Sequence, residues 1–108
     1  MTMTGSTAAT LTLSPFERLR AQRERVRDLL AEAGAGNARL FGSVARGTAR
    51  PGSDIDLLVE LPTPYDGLRY LRLLLALEDL LGCRVDLVPV DALPLRVRQT
   101  VEREAIPL

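Results

Sequence analysis

Apolar residues recur along this chain with two different periods, and the switches between them mark out the elements. From Phe16 through Leu19, Val26, Leu30 and Ala33 the spacing is three, four or seven, the signature of one helical face. Ser14, Pro15 and Glu17 stand just ahead as cap, first-turn proline and reciprocal capping acid, and Gly34 follows as terminator. The pattern predicts one amphipathic helix of roughly five turns beginning at Pro15. Ala38 to Phe41 reads as a short strand running into Gly42-Ser43, with a helical turn at Val44-Ala45-Arg46 and a chain reversal at Pro51-Gly52. Asp54 to Glu60 alternates as a strand and stops at Leu61-Pro62.

Asp66 can cap a second long helix, whose apolar positions Leu68, Leu71, Leu74, Leu75 and Leu77 form a broad stripe before Gly82 ends it. A third strand is expected from Arg84 to Val90, then an amphipathic segment around Val97, Val101 and Ala105, and a docking tail at Ile106-Pro107-Leu108. Residues 1–13 carry no charged side chain and read as a flexible tail without the features of a secretory signal. Residues 14–108 then form one domain. The order of elements argues for an α/β (α+β) fold: a small mixed sheet of three to four strands covered by helices.

Composition narrows the chemistry. With 108 residues there is room for one modest core and no separate substrate-binding domain. Fourteen basic and fourteen acidic residues cancel, so no overall field favours nucleic acid or anionic lipid, and no direct contact with nucleic acid is expected. The longest apolar run, Leu73 to Leu77, is far short of the ~20 residues that span a bilayer, so no membrane is expected either. The chain has no His, which removes Ser-His-Asp, Cys-His and His-zinc schemes and leaves carboxylates to do the chemistry. A single cysteine, Cys83, permits no internal disulfide, which fits a cytoplasmic setting, and reads as a small buried apolar residue.

Three features gather candidate chemistry. Gly42-Ser43 lies where a strand enters a helical turn, which can cradle an anion on free backbone N–H groups or form a plain tight turn. Asp54 and Asp56, two apart on a strand, share one face with roots about 7 Å apart, able to hold magnesium or merely to face water. Asp86, within Arg84-Val85-Asp86-Leu87-Val88, is either the third acid of a cluster or the partner of an arginine such as Arg84. A phosphate cradle and three carboxylates together suit nucleotidyl transfer, which needs charge neutralised at phosphorus and needs no histidine. Without metal, mutual repulsion should raise at least one carboxylate pKa of the cluster.

Gly42-Ser43, ten intervening residues and Asp54-Ile55-Asp56 resemble the signature of the DNA polymerase β-like nucleotidyltransferase superfamily. The surrounding LFGSVARGTARPGSDIDLLVEL, the later VDLV and the EAIPL ending resemble its minimal nucleotidyltransferase branch, antitoxin-like proteins often paired with HEPN-type toxins. The resemblance covers about residues 15 to 108 and implies the polymerase β-like nucleotidyltransferase fold. It further implies that Asp54 and Asp56 bind two Mg²⁺ ions and that Asp86 holds the one nearer the attacking hydroxyl. Gly42 and Ser43 would bind the triphosphate of ATP, with Arg46 either a phosphate contact or a surface arginine. The activity implied is transfer of AMP from ATP to a protein hydroxyl, a tyrosine of a HEPN-type toxin, as a type VII-like antitoxin in the cytoplasm. A non-catalytic antitoxin acting through a homo- or hetero-oligomeric complex, and a transferase acting on a small aminoglycoside-like compound, remain as alternatives.

Overall fold

The first helical stretch is two helices rather than one. The computed structural model describes residues 13–50 and 52–108, so the expected tail over residues 1–13 lies outside it apart from Leu13. The side chain of Ser14 accepts the Glu17 N–H at 3.2 Å and the Glu17 carboxylate accepts the Ser14 N–H at 3.3 Å, so α1 (Pro15–Ala21) starts where the capping residues say. At Gln22 the backbone leaves the helical region (φ −111°, ψ 16°) and its N–H is shared between the carbonyls of Arg18 and Leu19, before α2 (Arg23–Glu32) begins. Between Leu19 and Val26 no large apolar side chain anchors the turn, and both of those residues are buried in the core. Phe16, expected on the buried face, stays 43% exposed.

Four strands form one mixed sheet in the order β3-β2-β1-β4, with β1 (Gly36–Phe41), β2 (Ile55–Glu60), β3 (Val85–Pro89) and β4 (Ile106–Pro107). β1 runs antiparallel to β2 and to β4, whereas β2 and β3 are parallel. The expected docking tail is therefore the fourth strand: Arg39 and Leu40 pair with Pro107 and Ile106, and the Leu108 N–H donates to the Ala38 carbonyl at 3.2 Å. β2 sits in the middle, and Ile55, Leu57, Leu58 and Val59 are fully buried. The alternation predicted a single core face, yet Leu58 lies on the other side and is equally dry, so both faces of β2 are covered along that stretch.

A short helix, α3 (Gly42–Arg46), follows β1 directly, and the long α4 (Gly67–Leu81) carries the chain from β2 back to the start of β3. The Asp66 side chain accepts the Leu68 N–H at 2.9 Å and Gly82 takes the left-handed conformation (φ 67°) that ends the helix. The buried face differs from the predicted stripe. Leu73, Leu77 and Leu81 enter the core, while Leu68, Leu71 and Leu75 remain about half exposed. Leucine surrounds this helix, so hydrophobicity alone does not choose its orientation. After β3 comes a 3-10 turn (Val90–Ala92), then α5 (Leu95–Glu104). Among the described residues no helix is long and apolar enough to cross a membrane.

Candidate active site

Gly42 and Asp56 are the centre of the site, and each explains the other. Phe41 stands opposite Asp56 in the antiparallel β1–β2 ladder, and the next residue, Gly42, turns the backbone out of the sheet with φ 74°. That left-handed conformation strains any residue with a Cβ. A Cβ placed there would also lie 2.2 Å from Oδ2 of Asp56, so the carboxylate packs directly onto the glycine backbone. The Gly-Ser step is thus more than a tight turn: it is a recess into which one acid is pressed. Behind it, Gly47 closes α3 in a left-handed cap and the Thr48 N–H donates to the Ser43 carbonyl at 2.9 Å, fixing the loop.

Asp86 pairs with Asp56 across the parallel β2–β3 ladder, so the two side chains leave the same face from adjacent strands. Asp54 precedes β2 by one residue, outside the strand where alternation had placed it. It is exposed, after a turn in which the Arg50 N–H donates to Ser53 Oγ and the Ser53 N–H to the Arg50 carbonyl, each at 2.9 Å. Burial, then the charges of Asp86 and Asp54, push the Asp56 carboxyl from its ordinary 3.8 up to about 6, and the Arg46 guanidinium partly offsets them. The expected rise is present, with desolvation ahead of repulsion as its main cause. Arg46 is exposed yet close enough to act on Asp56, and among the described residues no ion pair ties Asp86 to an arginine.

Among the described residues, no group of three His, Cys, Asp or Glu side chains is gathered closely enough to hold a metal ion. Asp56 and Asp86 leave one face of the sheet and Asp56 feels the charges of both other acids, so the three stand near one another without forming a closed cage. Their chemistry still fits a hard divalent ion, since all three offer carboxylate oxygens beside a recess that excludes a side chain.

Two further residues touch this region without a clear signal in the sequence. Tyr70 of α4 donates its hydroxyl to the Leu87 carbonyl, and Glu78 of α4 accepts the Val85 N–H at 3.0 Å. Burial and the charge of Asp86 push the Tyr70 phenol up, so it remains a donor at neutral pH. A tyrosine set among leucines, with an acid eight residues on, is the only trace they leave in the sequence. Cys83, half-buried just before β3, has its thiol pushed up first by burial, in keeping with a packing residue.

The nucleotidyltransferase domain family matches residues 19–108. The chain belongs to the nucleotidyltransferase domain family. It is 37% identical over 99 residues to protein adenylyltransferase MntA of Thermococcus cleftensis, a match covering 91% of this chain and 97% of that protein. A solved structure described as a minimal nucleotidyltransferase superposes with TM-score 0.79 at 55% identity, covering 86% of this chain and 95% of its own. A toxin–antitoxin crystal structure with AMP-PNP superposes with TM-score 0.68 at 27% identity, over 78% of this chain and 69% of the other. The four-stranded mixed sheet with its helices is this family's fold, and Gly42, Asp54, Asp56 and Asp86 all lie within the matched region.

Proposed function

We propose that this nucleotidyltransferase-domain protein transfers AMP from ATP to a hydroxyl of a protein partner, a tyrosine of a HEPN-type toxin, and so silences that toxin in the cytoplasm. The observation that carries the reading is the packing of the Asp56 carboxylate onto Gly42, with Asp86 in register beside it. Support outside the chain comes from the protein adenylyltransferase relative, together with the toxin–antitoxin structure that contains AMP-PNP.

Gly42 and Ser43 would take the triphosphate, because backbone N–H groups approach a phosphate most closely where no side chain intervenes. Asp54, Asp56 and Asp86 would hold two Mg²⁺ ions, which, when bound, supply charge neutralisation at the phosphates and make the acceptor hydroxyl more acidic. The acceptor oxygen forms a bond to the α-phosphorus as the α–β bridge bond breaks. Pyrophosphate leaves with that electron pair, and Asp86 would take the hydroxyl proton. Arg46 adds positive charge on the phosphate side of the recess. For the partner surface, Leu68, Leu71 and Leu75 form an exposed apolar strip along α4.

Incubation with α-labelled ATP, Mg²⁺ and the protein encoded by the neighbouring gene tests the reading. Label should pass to the partner with the wild type and not with an Asp54→Asn/Asp56→Asn double variant. A stable complex that never becomes labelled would overturn transfer. If the double variant also protected cells as well as the wild type, the exposed α4 strip would support neutralisation by binding alone.

A further inference from the structure

Asp86 has a problem that Asp56 does not. β2 is held on both sides, by β1 and β3, whereas β3 is the last strand of the sheet. In a parallel ladder alternate residues turn their backbone groups toward the neighbour. The Ile55 N–H donates to the Arg84 carbonyl at 2.9 Å, which sets the phase: Arg84 and Asp86 address β2, and the backbone groups of Val85 and Leu87 point away from the sheet. An edge strand with free outward groups is free to shift or fray.

Two of those outward groups, the Val85 N–H and the Leu87 carbonyl, are taken, and both by α4. Glu78 accepts the Val85 N–H, Tyr70 donates to the Leu87 carbonyl, and Asp86 lies between the two bonds. Leu73, Leu77 and Leu81 on the same helix are buried, so the helix that makes the two bonds is itself anchored. We infer that Tyr70 and Glu78 are positioning residues for Asp86: they clamp the edge strand on either side of it and so set where its carboxylate stands relative to Asp56. Neither touches the reacting atoms. The inference rests on the reading of the three acids as ligands of a divalent ion.

Magnesium titration of the melting temperature, with ATP present and no partner, tests it on the intact protein. The wild type should be stabilised, with a definite Mg²⁺ concentration at half effect. Tyr70→Phe and Glu78→Leu should each raise that midpoint by about three- to tenfold, while Glu78→Gln, which keeps a carbonyl acceptor, should restore it. Leu30→Ala, a core change in α2 that lowers stability away from β3, should leave the midpoint alone. Midpoints within twofold of wild type for the Tyr70 and Glu78 variants would overturn the inference. A shift shared by Leu30→Ala would do the same, since it would trace to general loosening. Should Tyr70→Phe not fold, the Glu78 pair decides alone. A wild type that ignores Mg²⁺ altogether would remove the metal reading and the clamp with it, whereas a wild type that responds without labelling any partner would leave the clamp standing and remove the transfer.

Discussion

Asp56 and Asp86 face each other across one ladder, yet they meet opposite conditions. Asp56 belongs to the central strand, is half-buried, and is pressed against Gly42; Asp86 belongs to the edge strand and is exposed. The central acid is fixed by packing and bears an electrostatic cost, since burial and its neighbours raise its pKa to about 6. The edge acid is well solvated and depends on hydrogen bonds from another element to hold its place. Asp56 is held by packing at the cost of desolvation, and Asp86 keeps its solvation on a strand held by hydrogen bonds to α4, so one site draws its precision from two different sources.

The largest expected effect comes from removing the recess. Gly42→Ala adds a Cβ where both the backbone conformation and the Asp56 carboxylate forbid it, and displacement by about 1 Å should lower transfer by about 100-fold or more in a labelling assay. A second test contrasts the two acids without metal. Asp56→Asn should stabilise the metal-free protein at pH 7 by about 1 kcal/mol in urea unfolding, after discounting for the solvent that still reaches the group. Asp86→Asn should stay within about 0.5 kcal/mol, because an exposed carboxylate loses little on folding. Equal effects would erase the distinction between centre and edge.

The pH dependence has a definite sign. Asp56 titrates at 3.8 when unfolded and near 6 when folded, so between those values the folded state holds the extra proton. Its contribution to metal-free stability is therefore present at the acid end of that window and is lost as pH rises through it, by about 1 kcal/mol with the same discount. Urea midpoints measured in EDTA should show that slope in wild type and lose it in Asp56→Asn. The smallest effect expected is that of Leu75→Ala, within about 0.5 kcal/mol on an exposed face of α4, against about 3 kcal/mol for the buried Leu77→Ala.

Features that depend on neighbouring residues were legible in the sequence. The caps at Ser14 and Asp66, the turn at Gly42, the spacing of Asp54 and Asp56, and the strand around Asp86 all follow from local chemistry. Features set by distant partners were not. The sequence around Gln22 carries no proline or glycine to announce the break there, and α4 has leucines on several faces, so which of them meets the core is settled by the elements it packs on, including its hydrogen bonds to β3. The last strand carries too few residues to show alternation, and its pairing is dictated by the open side of β1.

The covering of β3 by α4 also limits how this protein can associate. A foreign strand needs a row of unpaired N–H and C=O groups to zip onto, and on the β3 side the tyrosine and glutamate have already taken the Val85 N–H and the Leu87 carbonyl out of that row. On the far side, β4 offers two residues, one of them a proline with no N–H to donate. Strand addition is thus hindered at both margins, which favours recognition of a companion molecule through side chains on the helices and loops.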